Sequence, residues 1–125
     1  MKRLIILGST GSIGRQALEI VDAFPGEFQV VGLGARRNAG MLAEQARRYQ
    51  PRAVALVDEG AADALRDVLP AGVTLFTGTD ALRSAARIDG DVVLVAVVGV
   101  AGLLPTLDAL HSGHDVALAN KETLV

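Results

Sequence analysis

Short apolar runs alternate with amphipathic stretches from one end of the chain to the other, which predicts successive βαβ units. The apolar runs read as strands over residues 3–7, 28–35, 53–57, 73–76, 92–98 and 115–119. Between them, helices are expected over 12–24, 40–49, 61–69, 80–88 and 103–110. Leu18, Val21 and Phe24 recur at i, i+3 and i+6 on one helical face, and Pro25-Gly26 then ends that helix. Pro70 and Gly72 close the third helix, Thr79 or Asp80 can cap the fourth, and Pro105 fits a first turn.

The run 92–98, all Val, Leu and Ala, is apolar on both faces, as expected of a central strand between two helix layers. Placed beside the first strand, it makes a sheet whose strand order reverses there, and ligands bind in the crevice at such a reversal. The expected fold is therefore α/β: a doubly wound, mostly parallel Rossmann-type sheet with helices on both faces. Residues 8–14, 99–102 and 119–121 then emerge at one rim.

Composition narrows this picture. The 125 residues suit one domain that removes roughly 65% of its unfolded surface from water. Half are hydrophobic but only Phe24, Phe28, Phe76 and Tyr49 are aromatic, so the core must be aliphatic. The absence of cysteine excludes disulfides and thiolate metal sites and agrees with a cytoplasmic location. A net charge of −2 without a basic stripe argues against nucleic acid as partner. The apolar run after Met1-Lys2-Arg3 is too short for a signal peptide, and 92–104 is too short to cross a membrane, so a soluble protein is expected.

The candidate chemistry lies in Gly8-Ser9-Thr10-Gly11-Ser12-Ile13-Gly14, a glycine turn between a strand and a helix. In that context Gly8 permits a tight exit, Gly11 lets the backbone approach a pyrophosphate, and Gly14 lets the helix pack close. Amides of residues 10–13 would face phosphate oxygens at the helix N-terminus, with hydroxyls of Ser9, Thr10 and Ser12 as added donors. The spacing is GxxGxxG rather than the commoner GxGxxG, and a tight turn without ligand remains an open alternative. After the second strand, where NAD enzymes place an acidic residue, stands Arg36-Arg37-Asn38. Two guanidiniums there suit the 2′-phosphate of NADPH, with a preference over NADH of about a hundredfold. Alone, the same arginines also suit a solvated loop.

Three motifs together resemble one family. Residues 7–14 (LGSTGSIG), 98–106 (VGVAGLLPT) and 118–125 (LANKETLV) resemble the cofactor domain of 1-deoxy-D-xylulose 5-phosphate reductoisomerases, and the resemblance spans the chain. It implies formation of 2-C-methyl-D-erythritol 4-phosphate by isomerisation and NADPH-dependent reduction, with Mg²⁺ or Mn²⁺, in the non-mevalonate isoprenoid pathway. It also implies cofactor contacts at Thr10, Gly11, Ser12, Ile13, Arg36, Arg37, Asn38, Asn120 and Glu122, and a substrate contact at Lys121. The family often has a small residue where Arg36 stands, which makes Arg37 the stronger candidate for a direct contact. The resemblance further implies that residues 1–125 are an NADPH-binding domain, with catalytic and C-terminal domains and metal ligands elsewhere. No catalytic or metal-binding residue is then expected in this chain, and the isolated segment is expected to be inactive. A phosphosugar substrate and a homodimer are expected of the whole enzyme.

Two other readings differ in class: a stand-alone dinucleotide-binding module, and another NADP-dependent dehydrogenase such as a semialdehyde dehydrogenase or epimerase. The 118–125 motif weakens the last, and Tyr49 is followed four positions on by Ala53 rather than the lysine of a Tyr-x-x-x-Lys pair. His111 and His114 invite a metal reading, but Gly113 between them points to a helix end. Asp58-Glu59 and Asp89-Gly90-Asp91 read as turn and capping residues, and Arg47-Arg48 as a solvated face.

Overall fold

The computed structural model describes residues 1–119. Its strands are β1 (Lys2–Leu7), β2 (Phe28–Ala35), β3 (Ala53–Leu56), β4 (Thr74–Thr77), β5 (Val92–Val95) and β6 (Asp115–Leu118). They alternate with α1 (Ser12–Ala23), α2 (Ala39–Tyr49), α3 (Glu59–Arg66), α4 (Ala81–Ala86) and α5 (Leu103–His111). One sheet results, in the order β4-β3-β2-β1-β5-β6, with every pair parallel. β5 lies beside β1 as expected, with Leu4 opposite Val92 and Leu7 opposite Val95.

The chain runs outward from β1 to β4 and then crosses back to β5. Because parallel crossovers are right-handed, that reversal sends α1–α3 to one face and α4–α5 to the other. Two apolar clusters reflect this. Ile6, Leu33, Leu18, Leu42 and Leu65 pack together on one side, while Ile5, Leu7, Val93, Leu82 and Ala109 pack on the other. Adjacent Ile5 and Ile6 point to opposite faces and both are fully buried. Each such side chain contributes about 1.5–3 kcal/mol, which is why these strands read as unbroken apolar runs.

Several boundaries differ from expectation for physical reasons. β5 ends at Val95, not residue 98, because its neighbour β1 stops at Leu7 and the ladder closes with Ala96 N–H donating to the Leu7 carbonyl at 2.8 Å. α3 starts at Glu59, because the Asp58 carboxylate accepts from the Gly60 and Ala61 amides at 2.9 and 3.3 Å. Asp80 precedes α4 but makes no side-chain cap, and the Ala81 amide instead donates to the Gly78 carbonyl. Phe24 is more than half exposed and ends α1, so it leaves the face formed by Leu18 and Val21.

Two ionic clamps hold the layers. The buried carboxylate of Asp108 on α5 accepts from Arg83 Nε at 2.7 Å and from Arg87 Nη2 at 3.2 Å, tying α5 to the α4 segment. At the opposite end of the sheet, Arg3 donates from its amide, Nε and Nη2 to Asp91, and from Nη1 to Asp89 at 2.7 Å. The expected solvated arginine pair on α2 is only half so: Arg48 pairs with Asp22 of α1 at 2.8 Å and lies over its neighbour Tyr49.

Candidate functional site

The turn after β1 owes its shape to two glycines. Gly8 has φ +94°, and a Cβ there would stand 2.7 Å from the Ala96 carbonyl oxygen. At Gly14 a Cβ would land on the Gly8 carbonyl and 2.7 Å from Ser9 Cα, so α1 can approach the turn only without a side chain. Gly11 differs: its nearest neighbour would be the Gly8 oxygen at 3.5 Å, an ordinary contact. Its missing side chain leaves space on the cleft side.

The first backbone bond of α1 runs from the Arg15 amide to the Gly11 carbonyl at 2.9 Å. The preceding amides of Ser12, Ile13 and Gly14 therefore have no carbonyl within the helix to receive them. No acidic residue occupies that first turn. Together these features make an anion cradle of amides and helix dipole.

A cleft of about 420 Å³ opens beside this cradle. Gly8, Thr10 and Gly11 form one wall, and Ala96, Val97 and Val98 after β5 form another. Ala35, Arg36 and Val57, at the carboxyl ends of β2 and β3, continue it, and Thr79, Asp80, Leu82 and Arg83 close it. The 3₁₀ turn Gly99–Gly102 and the start of α5 contribute Val100, Ala101, Leu104 and Pro105. The expected convergence of residues 8–14 and 99–102 at one rim is thus present.

Individual expectations fare differently. Thr10 and Gly11 line the cleft, while Ser12 and Ile13 are exposed in the first turn of α1. Ser9 corrects the expectation that its hydroxyl faces a ligand: it is fully buried, and its Oγ donates inward to the Gly34 carbonyl at 3.4 Å. Arg36 lines the cleft and Arg37 does not, although both are exposed. Asn38 caps α2, its Oδ1 accepting from the Met41 amide at 3.1 Å. Asn120, Lys121 and Glu122 lie outside the described residues.

Sequence reasoning missed Thr79, Asp80 and Arg83 as cleft residues. The available signal was their place after a strand, since loops at the carboxyl ends of parallel strands share one rim. The histidine pair is structural at His114, whose Nε2–H donates to the Ile88 carbonyl at 2.7 Å. Among the described residues no group of three or more His, Asp or Glu could hold a metal ion. None of their helices is long and apolar enough to cross a membrane.

A strand order that reverses at β1, with a glycine turn and a cleft at the reversal, places the chain among doubly wound Rossmann-type α/β domains. The family model for 1-deoxy-D-xylulose 5-phosphate reductoisomerase matches residues 4–125, and the chain belongs to that family. It is 48% identical over its whole length to the reductoisomerase of Thermoanaerobacter sp. strain X514, covering 33% of that protein. It superposes with a TM-score of 0.90 on the Zymomonas mobilis reductoisomerase in complex with NADPH, at 37% identity over 98% of this chain and 33% of the other. A reductoisomerase in complex with NADPH, fosmidomycin and magnesium matches at TM-score 0.88 and 30% identity, over 99% and 31% of the two chains. The chain therefore spans about a third of the length of the relatives it matches.

Proposed function

We propose that residues 1–125 are the NADPH-binding domain of a cytoplasmic reductoisomerase that converts 1-deoxy-D-xylulose 5-phosphate to 2-C-methyl-D-erythritol 4-phosphate. The reaction is an isomerisation followed by NADPH-dependent reduction, serving non-mevalonate isoprenoid synthesis. The observation that carries this reading is the unpartnered first turn of α1, opening with Gly11 onto a cleft bordered by Arg36. The NADPH named with two related structures supports it, and membership of the family favours it over another NADP-dependent dehydrogenase.

In this reading the chain's own residues bind and orient. Amides of Ser12 and Ile13, with Thr10 and Gly11, hold the pyrophosphate. Arg36, with Arg37 and Asn38 beside it, receives the 2′-phosphate at the end of β2. The apolar wall of Ala96, Val97 and Val100 shields the cleft from water beside the phosphates. Asn120 and Glu122 complete the cofactor contacts, and Lys121 contacts the phosphosugar substrate. Bound NADPH supplies hydride for the reduction. The described residues do not form a site for Mg²⁺ or Mn²⁺, so no step involving metal is derived from them. Apart from the Lys121 contact, substrate binding, together with metal binding and a homodimer, belongs to the further two thirds that the relatives possess.

Calorimetric titration of the 125-residue chain tests the proposal. NADPH is expected to bind with NADH weaker by about a hundredfold, the difference made by charge-assisted bonds to one phosphate. No heat of binding with NADPH at millimolar concentration overturns it.

A further inference from the structure

We infer that Gln45 is a positioning residue for the cofactor: its side chain turns the peptide between Ser9 and Thr10 so that the Thr10 amide faces the pyrophosphate. The inference rests on the NADPH reading above and adds a residue on α2 that the family resemblance does not assign.

Three of the four amides from Gly8 to Gly11 are already taken. Those of Gly8 and Ser9 donate to the Gly34 carbonyl at 2.8 and 2.9 Å, and that of Gly11 donates to the Gly8 carbonyl at 3.2 Å. The Thr10 amide has no acceptor among the described residues, and Thr10 lines the cleft. Of these four donors it is the one left for a ligand.

Its direction is fixed by the carbonyl on the other side of the same peptide bond. No peptide is cis among the described residues, so the Ser9 C=O and the Thr10 N–H share a plane and point in opposite directions. The Ser9 carbonyl accepts from Gln45 Nε2 at 2.9 Å and so points toward α2. That helix packs with α1 on one face of the sheet, and Gln45 lines the groove between the two helices and no part of the cleft. The cleft lies on the other side of the turn, walled by the residues after β5 and by the starts of α4 and α5. The Thr10 N–H is thereby aimed away from α2 and toward the cleft.

Packing alone does not account for a glutamine here. Gln45 shares the buried face of α2 with Leu42 and Ala46, and its Oε1 is buried without a partner, an unsatisfied acceptor that works against stability. The one hydrogen bond that it makes goes to Ser9. Without it the Ser9 carbonyl becomes a buried acceptor lacking a donor, and rotation of the peptide plane is the local route to relief. The same rotation swings the Thr10 N–H away from the cleft and removes a charge-assisted bond to the pyrophosphate.

Calorimetric titrations of NADPH, NADH and adenosine 2′-monophosphate against Gln45→Met test this, with folding checked by thermal melts. NADPH and NADH are expected to weaken by a similar factor, about tenfold, as for the loss of one charge-assisted bond. Adenosine 2′-monophosphate carries the ribose phosphate but no pyrophosphate. It is expected to bind as to the parent, a result that general loosening of the domain would not give. Arg48→Ala is the control, since Arg48 ties α2 to Asp22 of α1 and makes no bond to the turn, and its affinities are expected to match the parent's. A second measurement needs no variant. In proton–nitrogen correlation spectra of the parent chain, the Thr10 amide proton is expected to move downfield with NADPH and to stay in place with adenosine 2′-monophosphate. Unchanged NADPH affinity in Gln45→Met overturns the inference, as does an equal loss of adenosine 2′-monophosphate, an equal loss in Arg48→Ala, or a Thr10 amide indifferent to NADPH. Should Gln45→Met not fold, the Thr10 signal decides alone. If the parent chain fails to bind NADPH, the functional reading falls and this inference with it. Binding by the parent with an unmoved Thr10 amide confines the failure to Gln45 and Thr10.

Discussion

Gln45 on α2 donates its Nε2–H to the Ser9 carbonyl at 2.9 Å, across 36 residues of sequence. Both residues are buried, and this bond holds the second residue of the glycine turn from beneath. The other side-chain atom, Oε1, is buried without a hydrogen-bond partner. Gln45→Met should therefore lose the bond to Ser9 but also remove an orphan acceptor, at a net cost of about 1 kcal/mol. Gln45→Glu sets a buried carboxylate against the Ser9 carbonyl in place of a donor, and should cost about 3 kcal/mol or more. Urea denaturation of the two variants checks the order, and equal losses would contradict the account.

Gly14 and Gly11 stand three residues apart in one turn but should fail in different ways. A Cβ at position 14 overlaps the Gly8-Ser9 backbone, so Gly14→Ala must push α1 off the turn. A loss of about 3 kcal/mol, at the level of serious overpacking, is expected in thermal melts. At position 11 the new methyl meets only an oxygen at 3.5 Å. Gly11→Ala should thus fold within about 1 kcal/mol of the parent, while NADPH affinity falls at least tenfold because the methyl fills the phosphate approach. Parallel melting and titration of both variants separate the roles.

The layers of the fold were legible because nearly every strand is apolar on both faces. Ile5-Ile6-Leu7 and Val93-Leu94-Val95 could belong only to a sheet covered twice, and their punctuation by Gly8 and Gly99 marked the rim. Element ends were less legible, since they depend on neighbours distant in sequence. β5 stops where it does because β1 turns away at Gly8, a fact carried by residue 8 and not by residues 96–98. The same holds for side-chain direction. Ser9 looks like a ligand hydroxyl until Gly34 is brought against it, and Arg83 looks like a surface cation until α5 delivers Asp108.

The two arginines after β2 should prove unequal. Arg36 lines the cleft and Arg37 does not, so Arg36→Ser should weaken NADPH by ten- to a hundredfold, the range for one or two charge-assisted bonds to phosphate. NADH, which lacks that phosphate, should bind almost unchanged. Arg37→Ser should alter either affinity by less than about threefold, as expected of a solvent-screened charge. Titration of both single variants with both coenzymes decides it, and a larger NADPH loss in Arg37→Ser would reassign the contact.

Acid stability should depend on the far end of the sheet. Hydrogen bonds from the Arg3 guanidinium and amide hold the Asp91 carboxyl down at about 2, from an ordinary value of 3.8. A carboxyl whose pKa is lower in the folded chain stabilises it fully above the unfolded value, and that contribution disappears as pH falls through the folded one. The clamp between β1 and the start of β5 should therefore be intact above about pH 5 and weaken progressively between about pH 4 and 2. Asp91→Asn removes this titration. It should lower the melting temperature at pH 7 and flatten the fall in melting temperature below pH 4. Asp89→Asn should have a smaller effect, because Asp89 is the more exposed partner and makes one bond to Arg3 rather than three. Melting curves from pH 2 to 7 provide the comparison, and an acid limb as steep in Asp91→Asn as in the parent would show that other carboxylates govern it.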